Sequence, residues 1–203
     1  AGARYKGKNV LQPADLVKLF SVDTTLYRGK RVHDDFICAY RFAALTGLRP
    51  GELLGLRWAD VQGNTVNVRR SINIHGEETR GKNDNAIRSF VLSGLARAVL
   101  EQQRQVTGTR ESVFEISSEL YFWKRWQKYC MANEIERVSL YSLRHTFVSA
   151  VKSLPEGEIK ELVGHSQNMD TLGQYSHALT GDAENTAQAV NTVFLKLLGN
   201  GDF

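Results

Sequence analysis

The sequence predicts a mixed fold, mainly α-helical, with a small antiparallel β-sheet of about three strands set among the helices. Apolar residues recur at helical spacing through most of the 203 residues. The period shortens to alternation only between about residues 65 and 92, and clusters of turn-forming residues separate the alternating stretches. Hydrophobic residues make up 42% of the chain and charged residues 24%, which suits one sizeable domain that buries its own core without disulfides or metals.

Residues 1–9 are small and basic, lack periodicity, and read as a linker or the edge of an excised segment. Pro13 suits the first position of a helix with Leu16, Leu19 and Phe20 on one face. A second helix is expected over about 34–45, with Phe36, Ala39, Tyr40 and Ala43 inward, until Thr46, Gly47 and Leu48 break it. Pro50 then opens a helix carrying Glu52, Leu53 and Leu56. Strands are expected over 65–68, through Ile72 and Ile74, and over 87–92, with turns at His75-Gly76 and over 81–85. Helical spacing resumes around 93–105, 118–131, 142–151 and 156–163. A last helix is expected over about 182–198, with Asp182 as its N-cap; Ala183, Thr186, Ala187, Val190, Val193, Phe194, Leu197 and Leu198 form its apolar stripe.

The net charge of +4 permits a nucleic-acid partner without requiring one. Basic residues cluster at Arg4-Lys6-Lys8, Arg28-Lys30-Arg31, Arg69-Arg70, Arg80-Lys82 and Lys124-Arg125-Lys128. Any single cluster is ordinarily a solvated face, but several in one domain favour a polyanion. Arg69, Arg70, Arg80, Arg88, Lys124, Arg125 and Lys128 are the candidate DNA-binding residues. Cys38 and Cys130 lie in apolar helical segments and form neither a disulfide framework nor a metal-ligand pattern, so a reducing cytoplasm is expected. No apolar run approaches the ~20 residues that a membrane span needs.

Three clusters carry candidate chemistry. In Thr46-Gly-Leu-Arg-Pro-Gly-Glu52, Arg49 stands at a helix start with Glu52 on the same face. The arginine is suited to hold an oxyanion in bidentate fashion while the glutamate fixes its rotamer; an ordinary salt-bridged helix start has the same residues. Tyr141-Ser-Leu-Arg144-His145 is the second cluster. The third is Leu162-Val-Gly-His165 followed by Gln174-Tyr175-Ser-His177, where Gly164 can end a helix in a left-handed cap just before His165.

In their order and separation these clusters resemble the boxes of the tyrosine recombinase (phage-type integrase) family, over almost the whole chain. "TGLRPGELLGLRWADV" is similar to the first box, "YSLRHTFVS" to the second, "ELVGHS" to the late histidine and "QYSH" to the nucleophile. The resemblance implies that family's catalytic-domain fold, with Arg49, Arg144 and His165 on the phosphate, Glu52 in support, and Tyr175 as the nucleophile. It also implies a lysine on a turn of the sheet, where Lys82 stands. One position departs: Tyr141 replaces a histidine, and phenols titrate near ~10, so the base for Tyr175 is unassigned.

What the resemblance implies further is a site-specific recombinase that integrates or excises a mobile element through a 3′-phosphotyrosyl link, with no metal or cofactor. A type IB topoisomerase-like relaxing enzyme and a catalytically inactive DNA-binding module are the alternatives. Expected partners are double-stranded DNA, other protomers in a DNA-bound tetramer, and an N-terminal core-binding domain of the full-length protein, in the nucleoid of a bacterial cytoplasm. Residues 10–180 are expected to form the catalytic domain. The tail, 181–203, packs either on its own domain or in trans on a neighbouring protomer.

Overall fold

The computed structural model describes residues 9–79, 87–164 and 181–199. Helix α1 (Pro13–Ser21) starts at its proline as the sequence predicts and buries Leu16, Leu19 and Phe20. A two-stranded hairpin follows, β1 (Thr24–Tyr27) with β2 (Lys30–His33), which sequence periodicity did not predict. Helix α2 (Ile37–Thr46) is buried on every side. Its Tyr40 ring lies 5.2 Å from Phe122, 4.9 Å from Trp126 and 5.6 Å from Tyr129, all on α5 (Glu119–Ala132). Such aromatic packing makes α2 and α5 the centre of the core.

Helix α3 (Pro50–Gly55) leads through a 3₁₀ turn (Trp58–Asp60) into a three-stranded antiparallel sheet. The sheet orders β3 (Val61–Gln62), β4 (Thr65–Val68) and β7 (Arg88–Val91), with Val66 opposite Phe90. Two of its strands are the expected ones, but its third is not the stretch through Ile72 and Ile74. That stretch forms a separate ribbon, β5 (Ser71–Ile72) with β6 (Glu78–Thr79), and leaves Ile74 76% exposed. The cause is local: the Asn73 side-chain oxygen accepts from the amides of His75 (2.9 Å) and Glu77 (3.0 Å), curling the chain where an extended strand would continue.

Helix α4 (Gly94–Thr107) is capped by Ser93, and α6 (Leu140–Ala150) by Ser139, whose hydroxyl accepts from the Ser142 amide at 3.1 Å. That cap starts α6 two residues before the predicted boundary. Helix α7 (Glu156–Val163) ends at Gly164, and α8 (Asp182–Leu198) packs against α1, α4 and β7 of the same chain. Its Phe194 stacks on Phe147 of α6 at 6.2 Å, and Asn191 accepts from the Leu95 amide at 2.9 Å. Ala187, Val190, Phe194 and Leu198 of α8 are buried in these contacts, while Ala183 of the expected stripe is exposed.

Candidate active site

The site begins where α2 stops. Gly47 turns the chain out of the helix at φ 65°. A Cβ there would stand 2.6 Å from the Phe147 ring, so both backbone angle and space require glycine. The turn delivers Arg49 to the N-cap of α3, with Pro50 at the first helical position and Glu52 in the first turn. Glu52 accepts from the Arg49 amide at 2.9 Å and from the Arg49 guanidinium at 2.7 Å.

A second arginine shares that carboxylate. Arg88, at the start of β7, places Nη1 and Nη2 each 3.0 Å from one Glu52 oxygen. Glu52 is only 3% exposed. Burial alone would raise its pKa, but the hydrogen bonds and charges of Arg88 and Arg49 more than offset it and hold the carboxyl below its ordinary value.

Arg144, on α6, is 1% exposed and donates to the carbonyls of Gly47 (2.8 Å) and Val163 (2.6 Å). Burial, reinforced by the charge of Arg49, pushes this guanidinium down to about 10. It remains cationic at neutral pH. The last turn of α7 receives all three arginines on consecutive residues: Arg88 Nε donates to Leu162 O at 2.9 Å, Arg144 to Val163 O at 2.6 Å, and Arg49 to Gly164 O at 3.4 Å. Carbonyls at a helix C-terminus lack intrahelical partners and form its negative end, so cations cap them well. Gly164 then leaves the helix in the left-handed conformation, φ 63°.

Tyr141 completes the described cluster. It is 41% exposed and lies near enough to Arg49 to interact with its guanidinium electrostatically, and the His145 ring, one helical turn on, meets its ring edge-on at 5.0 Å. Arg49, Tyr141 and Arg144 are thus gathered from two distant segments into one electropositive corner, which suits a phosphate oxyanion. Lys82, Arg80, His165 and Tyr175 lie outside the described residues.

The candidate DNA-binding residues divide. Lys124 and Lys128 are exposed on α5, and Arg69 is about half-exposed, 3.9 Å from Asp60. Arg70 is committed to buried Asp60 and to the Gly55 carbonyl. Arg125 lies between Asp34 and Asp35, 3.5 Å from each, over the Phe36 ring. Arg88 is buried against Glu52, so the structure places it behind the site and not on a surface.

Comparison with known proteins accounts for this arrangement. The model of the phage integrase family matches residues 9–181. The chain belongs to the phage integrase family. A tyrosine recombinase XerC-like protein of Caldanaerobacter subterraneus subsp. tengcongensis is 23% identical over 203 residues, covering 83% of this chain and 51% of that protein. The ICEBs1 integrase of Bacillus subtilis is 27% identical over 162 residues, 68% of this chain and 44% of that one. The chain therefore spans about half the length of these relatives. Among solved structures, the Tn1549 transposon integrase in complex with transposon right end DNA superposes with a TM-score of 0.66 at 20% identity, covering 91% of this chain and 67% of that one. XerA recombinase superposes with a TM-score of 0.58 at 17% identity, covering 100% and 68%. The helical domain with small antiparallel sheets is the fold of these integrases. Among the described residues, no helix is long and apolar enough to cross a membrane, and no group of three or more His, Cys, Asp and Glu is placed to hold a metal ion.

What lies behind the Arg49–Arg144 corner is not legible from residue spacing. The charge of Arg88 suggests a DNA contact, and its place at the edge of the β-prone run over 87–92 is the one sequence signal that it belongs to the fold instead.

Proposed function

We propose that this chain is the catalytic domain of a site-specific tyrosine recombinase that cuts and rejoins duplex DNA to integrate or excise a mobile element. The observation that carries the reading is the convergence of Arg49 and Arg144 on the last turn of α7, beside Tyr141. In this reading Arg49 and Arg144 bind the non-bridging oxygens of the scissile phosphate, with Tyr141 and His165 as further hydrogen-bond donors. Tyr175 attacks phosphorus in line, forming a 3′-phosphotyrosyl bond as the bond to the 5′ oxygen breaks. Lys82 gives that oxygen its proton, leaving a free 5′-hydroxyl. A 5′-hydroxyl of a second strand then reverses the step, so the phosphodiester is remade without ATP.

Residues 10–180 carry the chemistry in this reading, and the partners are recombination-site DNA, further protomers in a tetramer, and an N-terminal core-binding domain. The setting is the DNA of a bacterial cytoplasm. The test is a nicked duplex carrying the ends of the element. The native chain is expected to give a covalent protein–DNA band that Tyr175→Phe abolishes. No band from the native chain, or a band from the variant, overturns the reading; joining of two DNA partners distinguishes recombination from relaxation.

A further inference from the structure

The β1–β2 hairpin adds little to the core: β1 packs on α5, but Thr25 is the one buried residue of its two strands. It is tied to the end of α5 at its base, where Asn133 donates to Thr24 O at 2.9 Å and Arg31 donates to the Asn133 side chain and to Ala132 O. Every residue of β2 is exposed, and Leu26 and Tyr27 are about half-exposed. A two-stranded ribbon that buries no apolar side chain is marginal in water, and this one leaves Leu26, Tyr27 and Val32 exposed, a surface suited to a partner.

The turn at its tip is informative. Arg28 and Gly29 have φ of 50° and 78°, the all-positive pair of a tight hairpin turn. The first of these positions favours Asn, Asp or Gly, and an arginine there is strained. Strain of this kind is kept where the side chain is needed at that place. The Arg28 guanidinium lies over the Tyr27 ring, 5.3 Å from its centroid, so the tip presents a cation backed by an aromatic plate.

The charge is one-sided. Residues 24–33 include Arg28, Lys30, Arg31 and His33 and no acid. Of the flanking acids, Asp23 pairs with Arg41, while Asp34 and Asp35 share the single Arg125. Arg31 meets only neutral acceptors, and among the described residues Arg28 and Lys30 have no carboxylate partner. The helix to which the ribbon is tied adds exposed Lys124 and Lys128.

We infer that the β1–β2 ribbon is a second contact for duplex DNA, apart from Arg49 and Arg144, in which Arg28 and Lys30 meet backbone phosphates beside the bound site. The inference rests on the reading of the chain as a DNA-acting domain. Duplex DNA fits better than an acidic protein because a groove about 12 Å wide admits a two-stranded ribbon while its phosphates take the flanking cations. The contact adds affinity and register, not chemistry.

The test is the paired variant Arg28→Asn with Lys30→Gln in the full chain, assayed by duplex binding across a salt series. Duplex Kd is expected to rise by roughly 10-fold, and the slope of log K against log salt to fall by about two. Asparagine relieves the left-handed strain, so the melting temperature is expected to hold or rise. Covalent product at saturating nicked duplex is expected to be unchanged. A control pair, Lys152→Gln with Lys196→Gln, removes the same charge from other exposed positions and is expected to move the slope less. Unchanged Kd and slope, or equal losses from both pairs, overturn the inference. So does loss of self-association in sedimentation with DNA binding intact, which would make the ribbon a protein contact. A native chain that binds duplex through the ribbon but forms no covalent product overturns the recombinase reading and leaves this contact standing.

Discussion

Arg88 closes a bidentate pair on Glu52, with each terminal nitrogen 3.0 Å from one carboxylate oxygen, while its Nε holds Leu162 O at 2.9 Å. One guanidinium therefore ties the first box to the helix that ends at Gly164. Stranding a buried charge outright costs about 3–5 kcal/mol, but Glu52 keeps Arg49 as a partner when Arg88 is removed. Arg88→Met is therefore expected to lower stability by less than that, about 1–3 kcal/mol in urea unfolding. Below its melting point it should bind duplex DNA with nearly native Kd yet form covalent product more slowly, because the last turn of α7 is no longer held. If Arg88 instead contacts phosphate, the variant will lose affinity and salt slope together.

Glu52 makes a pH prediction. Its folded carboxyl titrates below the ordinary value of 4.5, so the unfolded chain takes up the proton first as pH falls. The stability this group contributes is present above that value and is lost as pH drops through the folded pKa. Glu52→Gln removes the pH-dependent part at the expense of lower stability at neutral pH. The native chain should therefore lose more unfolding free energy than the variant on acidification from neutrality. Parallel losses in the two proteins would mean that Glu52 contributes no linkage.

Arg144 and Arg49 are two cations held together at a cost. The drop of the Arg144 guanidinium to about 10 comes from burial and from Arg49. An oxyanion between them relieves the repulsion, so sulfate or phosphate at constant ionic strength should raise the melting temperature. At 100 times its Kd such an anion stabilises by about 2.7 kcal/mol. Arg144→Gln should abolish the anion-dependent part of the shift. A shift equal in native and variant proteins would place the anion elsewhere.

Much of this arrangement is legible from sequence, and the illegible parts have physical causes. Pro13 and Pro50 announce their helices because a missing N–H costs nothing at a first turn. Arg49, Glu52 and Arg144 stand out through local spacing and family-like order. The β1–β2 ribbon escapes because the one residue it buries, Thr25, is polar, and because an Arg-Gly turn lacks the usual Asn-Gly signal. The roles of Arg88, Arg70 and Arg125 escape because charge alone does not say which arginine faces which acid. Arg88 and Glu52 are 36 residues apart, and only the fold brings them together.

Tyr141 stands where the family resemblance implies a histidine, and its partially exposed position leaves it free to meet a bound phosphate. It stands beside Arg49, close enough for the two to interact electrostatically. Tyr141→Phe keeps the ring and its contact with His145 but removes the donor, so folding should be unaffected. Loss of one such donor lowers a rate on the order of 10²-fold, and that drop is expected in covalent product formation at saturating DNA. Tyr141→His should restore much of the rate, with a new pH dependence near the imidazole value of about 6.5. A phenylalanine variant as fast as the native chain would remove Tyr141 from the phosphate site, and a histidine variant no faster than phenylalanine would mean that the pocket is shaped for the phenol alone.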